Sequence, residues 1–257
     1  LESRKNEIDI KAFQTAHCII HLAGENIGEK RRTAIRKQQI IDSRVKPIGL
    51  ILNYLKDAVI KPECFISASA TGYYDSNLID KIFDESASAA KEFLGETCRK
   101  WEQAADSISD LGIRTVKIRT GVVLSAKSGA FAKMTVPVKL GIGSPLGSGK
   151  QYMPWIHIDD LCDVYIKAIE DVKINGAYNA VSPEHVTNKE FTKNLAHVLH
   201  KPFFLHAVPA FVLKALFGQM SEILLKGNRV SSEKLQNAGF IFQFPKLENA
   251  LKNIFRK

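Results

Sequence analysis

"CIIHLAGEN" (residues 18–26) decides the fold: a short apolar run stops abruptly at Gly24, Glu25 and Asn26. A buried strand of a parallel sheet reads this way, continuous rather than alternating, with turn residues after it. "CFISASA" (64–70) and "TVKIRTGVVL" (115–124) have the same form, and "GAYNAV" (176–181) predicts a fourth strand. Helical patterns separate them. Ile41, Val45, Ile48, Leu52 and Leu55 step by four and three, which places them on one helix face, with a kink or restart expected before Pro47 near Ser43–Lys46. Leu94, Cys98, Trp101, Ala105 and Ile108 form a second such face. Strand, helix, strand, helix, strand means an α/β fold with parallel pairing and right-handed crossovers.

The 257 residues can bury a full core, and 45% apolar with 25% charged residues is ordinary for a globular chain. No apolar run approaches the roughly 20 residues that span a bilayer, and no leader pattern opens the sequence, so the expected location is cytoplasmic. The four cysteines (18, 64, 98, 162) contain no C-x-x-C pair and read as buried, reduced thiols. A net charge of +9 raises nucleic acid as a partner, but the densest basic run, "EKRRTAIRKQQIIDSR" (29–44), carries acidic residues and no aromatics for stacking. A solvated helix face or a site for anionic phosphates is expected instead, with no membrane partner.

Ligands of open parallel sheets bind beyond the carboxyl ends of the strands. Gly24, Ser69, Thr71 and Gly121 stand at three such ends, with Gly24 expected to let backbone approach a ligand. After Leu124 the sequence changes to a glycine-rich then aromatic stretch, "GIGSPLGSGKQYMPWIHIDDL" (141–161), and a smaller lobe with a helix in "VTNKEFTKNLAHVL" (186–199). "GSPLGSGKQ" (143–151) is no phosphate loop. The G-x-x-x-x-G-K-[ST] pattern would need glycine at Ser144 and a hydroxyl at Gln151. A flexible, substrate-facing loop is the expectation, with a structural turn as its alternative.

His17 and His21 share a strand face without a carboxylate at metal-binding spacing, so no metal is expected. His157 fits a substrate contact or a structural hydrogen bond equally, and no G-x-S-x-G is present. Tyr73 and Tyr74 directly follow "SASATG". Either could pair with Ser69 as an acid/base device if a cation stands nearby; either could equally be a packed loop aromatic.

Taken in order, "IIHLAGENI", "SASATGYY", "FDES", "WEQAA", "IRTGVVLS", "GIGSPLGSGKQYMPWIHIDDL", "GAYNAVSPEHVTNKEF" and "GFIFQFPKLENAL" resemble the extended short-chain dehydrogenase/reductases. The nearest group is the YfcH-like, NAD(P)-dependent epimerase/dehydratase-like "epimerase family proteins". The resemblance implies a Rossmann-type doubly wound parallel sheet over residues 1–124 and 160–182, and a small C-terminal α+β substrate lobe over 125–159 and 183–257. It implies NADP or NAD as cofactor, with NADP favoured slightly, a small-molecule substrate, and a homodimer as an allowed assembly. By motif, Leu22, Ala23, Gly24, Gln39, Arg44, Ser69, Gly121 and Val123 would face the cofactor, with Arg44 supplying charge to a phosphate. Ser69, Tyr73 and Tyr74 would be catalytic, and Gln151, Trp155 and His157 would meet substrate.

Two departures qualify that pattern. The family opens with a strand, a Gly-x-x-Gly-x-x-Gly turn and a helix that this sequence lacks, so a truncated amino terminus is expected. No tyrosine here has lysine four residues later. Leu94 and Cys98 occupy the places of the superfamily's Tyr-x-x-x-Lys pair. The sequence therefore implies hydride transfer, as an oxidoreductase or epimerase, on a small hydroxyl or carbonyl substrate. Its alternative is a catalytically weak, nucleotide-binding scaffold or regulator, of the division-linked kind.

Overall fold

The computed structural model describes residues 13–28, 32–77, 80–203 and 206–256. In chain order the strands are β1 (Cys18–His21), β2 (Cys64–Ala70), β3 (Ile82–Phe83), β4 (Arg114–Thr120), β5 (Val122–Leu124), β6 (Trp155–His157), β7 (Gly176–Ala180) and β8 (Arg229–Val230). The helices are α1 (Ala34–Asp57), α2 (Phe93–Ser109), α3 (Gly129–Lys139), α4 (Ile158–Glu170), α5 (Asn188–Val198), α6 (Ala210–Phe217), α7 (Glu222–Leu225), α8 (Glu233–Asn237) and α9 (Leu247–Phe255). A parallel sheet in the order β1-β2-β4-β7 carries helices on both faces, which is the Rossmann-like arrangement expected from the strand-helix alternation.

One face of the sheet buries Ile66, Val116 and Ile118 against Val164 and Ala168 of α4 and Leu235 of α8. The other buries Phe65 against Ile48, Ile51 and Leu55 of α1 and Trp101, Ala105 and Ile108 of α2. A third cluster joins Leu124, Phe131, Trp155, Phe191 and Leu251. Leu124 thus packs with the later part of the chain while Ile156 packs under the sheet, so the β5–β6 pair lies in both cores.

Several expectations are corrected. The buried stripe of α1 is Ile40, Arg44, Pro47, Ile48, Ile51 and Leu55, while Ile41, Val45 and Leu52 flank it half-buried. A buried arginine sits where an apolar pattern would look for an aliphatic residue. α1 also runs unbroken through Pro47, with no restart at Ser43–Lys46. The expected strand 115–124 divides at Gly121, where pairing passes from β7, through the Gly121 N–H to the Ala180 carbonyl, to the β6 side, through the Val122 N–H to the Pro154 carbonyl. Cys162 is exposed and Cys18 half-buried; all four cysteines are free. α5 begins as expected, with Thr187 and Glu190 forming a reciprocal capping box. No helix among the described residues is long and apolar enough to cross a membrane.

β1 is held from below by a small polar contact. Trp101 Nε1 donates to His21 Nδ1 at 3.4 Å, and the Arg44 guanidinium lies 5.0 Å from the Trp101 ring centroid. Burial, helped by the Arg44 charge, lowers the His21 pKa from the usual 6.5 to about 4. The unfolded chain therefore takes up this proton near pH 6.5 and the folded chain resists it down to about 4. Stability is lost as pH falls through that window, by about 3 kcal/mol at full protonation. Chemical denaturation at a series of pH values should show this loss in the native protein and a flatter slope in His21→Gln, whose amide oxygen can still accept from Trp101. Equal slopes would show that His21 does not carry the effect.

Candidate functional site

Parallel register places Ser69, Arg119 and Asn179 side by side across β2, β4 and β7, one residue before the last of each strand. All three are buried and polar. Glu102, one turn after Cys98 on the buried face of α2, reaches the same row. Its Oε1 accepts from Ser69 Oγ at 2.7 Å and from Arg119 Nε at 2.8 Å, and its Oε2 accepts from Arg119 Nη2 at 2.8 Å. This is a bidentate, fully buried ion pair. Burial works against the Arg119 charge, but hydrogen bonds and attraction from Glu102 outweigh it and raise the arginine's pKa further.

The remaining Arg119 nitrogen, Nη1, donates to the Tyr74 hydroxyl at 2.8 Å, and that hydroxyl donates to Asn179 Oδ1 at 2.7 Å. Asn179 in turn donates from its backbone N–H to Glu85 Oε1 and from Nδ2 to the Ser231 carbonyl. Tyr74 is 2% exposed, and burial pushes its hydroxyl up to about 12 despite Arg119. Its proton is held by Asn179 and its oxygen by Arg119. Tyr73 differs. It is half-buried, and its ring centroid lies 3.6 Å from the Arg119 guanidinium carbon, so the guanidinium stacks on the ring face.

The place of the Tyr-x-x-x-Lys pair is apolar. Leu94 Cβ lies 3.5 Å from where a Gly72 side chain would begin, and burial, with the Glu102 charge adding, pushes the Cys98 thiol up to about 12.

At the end of β1, Leu22, Ala23 and Gly24 are exposed, Leu22 by 64%. Arg44 packs close under Gly24: a Cβ there would meet the Arg44 guanidinium carbon at 3.0 Å. Arg44 spends Nη1 on the Ile40 carbonyl and Nη2 on the Glu25 carbonyl, while its buried Nε has no partner. Arg36 pairs with Glu25 at 3.1 Å, donates to the Asn26 carbonyl, and reaches the exposed Gln39 at 3.3 Å. Its Nε is also buried and unpartnered. Guanidinium groups thus converge on the turn after β1, and an anion or phosphate fits their charge. Val123 is half-buried beside Ile156, and Gly121 serves the strand junction.

The three residues expected to meet substrate are inside. Trp155 is fully buried and donates to the Glu184 carbonyl, and His157 is 1% exposed with Nδ1 accepting from the Asp159 N–H. Gln151 Nε2 bridges the Leu146 and Leu224 carbonyls. All three are engaged by hydrogen bonds within the fold. The glycine-rich stretch around them is a knot: Leu146 N–H donates to Asn188 Oδ1, Gly147 N–H to the Val208 carbonyl, and Lys189 N–H to the Gly149 carbonyl. The structural-turn alternative describes it.

Residues 3–180 match the model of the NAD dependent epimerase/dehydratase family, and residues 208–254 match a domain of unknown function (DUF1731). The chain belongs to the NAD dependent epimerase/dehydratase family. The family member YfhF of Bacillus subtilis is 36% identical over 91% of this chain and 77% of its own length. Human SDR39U1 is 32% identical over 97% of this chain and 85% of its own length. A crystal structure of human SDR39U1 (isoform 2) with NADPH superposes with a TM-score of 0.88, covering 95% of this chain and 83% of that one. A nucleoside-diphosphate sugar epimerase from Corynebacterium glutamicum gives 0.75 at 30% identity, covering 94% of this chain and 47% of that chain.

Glu102, Arg119, Asn179 and Glu85 were not read from the sequence as site residues. The available signal was charge inside apolar patterns: an arginine in a buried strand, and a glutamate on the apolar face of α2. Glu102→Ala should cost about 3–5 kcal/mol by urea denaturation, because it strands a buried guanidinium. Replacing both partners, Glu102→Leu with Arg119→Met, should recover most of that loss. A double variant as unstable as the single one would show that shape, not charge, dominates here.

Proposed function

We propose that this family member binds a nicotinamide dinucleotide, NADPH in preference to NADH, and moves a hydride to or from a small hydroxyl or carbonyl substrate. The NADPH in the human SDR39U1 structure supports the cofactor, and the arginines after β1 support a phosphate there. The nicotinamide supplies the hydride chemistry, which no side chain can perform. Arg44 and Arg36 hold the turn and set a positive potential beside Leu22, Ala23 and Gly24.

The observation that carries the reading is the Ser69–Glu102–Arg119 row. The Ser69 proton is committed to Glu102, so Oγ presents lone pairs. A substrate hydroxyl can donate to it without breaking the charge-assisted bond, whereas a carbonyl would force the serine to turn away. An alcohol is thus the favoured form on entry. Tyr73, held on the Arg119 guanidinium, exchanges the proton with the reacting oxygen.

A second reading, a cofactor-binding regulator with little turnover, is favoured by the apolar Leu94 and the buried Cys98 in the usual proton-shuttle positions.

Fluorescence titration of NADPH and NADH into the protein tests the cofactor. NADPH should bind more tightly than NADH, and binding of neither would overturn the proposal. A screen of secondary alcohols with NADP then separates the readings. Turnover that falls about 10²-fold or more in Tyr73→Phe supports catalysis. No turnover, or an unaffected variant, removes the role of Tyr73.

A further inference from the structure

Arg32 precedes α1 and points away from the turn after β1, toward the C-terminal lobe. It is 8% exposed. Its Nη1 makes two long contacts, to the Gln219 carbonyl at 3.5 Å and to Glu222 Oε2 at 3.8 Å. Its Nε and Nη2 are buried and have no hydrogen-bond partner. Those two nitrogens share one edge of the planar guanidinium, the edge that grips a carboxylate or phosphate with two parallel N–H bonds. Buried donors are rarely left unmade, since each forfeits about 1–3 kcal/mol. An entire bidentate edge left open is the signature of a partner that comes from outside the fold.

The location fits a substrate. The Arg32 guanidinium carbon lies 5.7 Å from the Phe93 ring centroid, and Lys37 Nζ lies 5.3 Å from the same ring. Phe93 adjoins Leu94, which packs against Gly72, the neighbour of Tyr73. Arg32 therefore stands beside the place of chemistry but on the lobe side of it, whereas Arg36 and Arg44 serve the β1 turn. The Arg32 side chain is only 2% exposed, but both lobe contacts over it are long and the Glu222 side chain is 53% exposed.

We infer that Arg32 is the anion-recognising residue of the substrate cleft, and that the substrate carries a carboxylate or phosphate that takes the Nε/Nη2 edge. The inference rests on the proposed use of this cleft as the substrate site of a nicotinamide enzyme. The Glu222 charge, close to Nη1, opposes the incoming anion and so keeps the unliganded site selective for a group that binds in two-point fashion.

Isothermal titration of inorganic phosphate and of acetate, each into NADPH-saturated and cofactor-free protein, tests it. One or both anions should saturate in the millimolar range, and whichever binds more tightly identifies the substrate's charged group. Arg32→Gln should weaken that binding tenfold or more, and Glu222→Gln should tighten it by about fivefold through removal of a nearby like charge. A merely structural Arg32 would not give these opposite signs. Should Arg32→Gln fail to fold by far-UV circular dichroism, Glu222→Gln decides alone. Absence of saturation by either anion, or binding indifferent to both substitutions, overturns the inference. The NADPH titration of the unaltered protein judges the cofactor separately, and the cofactor-free arm still decides Arg32 if NADPH does not bind.

Discussion

The Arg119–Glu102 ion pair sits where a parallel sheet ordinarily places aliphatic side chains, and nearly every polar residue at the strand ends is arranged around it. Two charges removed from water are costly unless each remaining lone pair and proton finds a partner. Here the completion is thorough. Glu102 takes Ser69 as well as the guanidinium, and Arg119 takes the Tyr74 hydroxyl and the Glu85 carbonyl. Tyr74 passes the obligation to Asn179, which passes it to Glu85 and Ser231. One buried pair therefore ties together α2, β2, β4 and β7 with the loop before β3 and the segment after β8. It also fixes which proton Ser69 can offer and which ring Arg119 supports.

The glycines obey the same logic of close approach between parts of the protein. Gly24 leaves room for Arg44, and Gly121 for the Pro154 carbonyl. A Cβ at Gly95, in the first turn of α2, would lie 2.3 Å from the Ala90 carbonyl oxygen, so the preceding loop packs directly on the helix backbone there. The glycine-rich loop near residue 147 is likewise folded onto α5 and α7 rather than held open. In each case the missing side chain is filled by protein. Among the described residues, buried guanidinium nitrogens of Arg32, Arg36, Arg44 and Arg229 stay without a partner, as do His21 Nε2, Gln151 Oε1 and His157 Nε2.

Much of the architecture was legible because periodicity is local. "CIIHLAG", "CFISASA" and "GAYNAV" become β1, β2 and β7, and "VTNKEFTKNLAHVL" holds α5. Failures occurred where a residue's role is set by something distant in sequence. Arg44 is buried because Trp101 and the Glu25 carbonyl receive it, which shifts the buried stripe of α1 away from its most apolar reading. Trp155 and His157 looked like cleft residues beside a flexible loop, but their partners, Glu184 and Phe244, lie well downstream and draw them inward. Tyr73 and Tyr74 were indistinguishable as neighbours. A 3₁₀ turn over Thr71–Tyr73 sends one ring onto Arg119 at half-burial and the other into the core.

The sequence by itself determined the parallel α/β order, the absence of a Tyr-x-x-x-Lys pair and the excess of positive charge. These follow from composition and from spacings of a few residues, which short-range sterics and helix or strand period translate directly into structure. The tertiary structure decided which charges pair and which stay open. Cross-strand register aligned Ser69, Arg119 and Asn179, residues some fifty to sixty positions apart, and the packing of α2 brought Glu102 to them. It also carried Gln219 and Glu222 to Arg32 from the far end of the chain while leaving that arginine's bidentate edge free. Hydrogen-bond satisfaction is a property of the assembled neighbourhood, so no pattern within one segment could have revealed it.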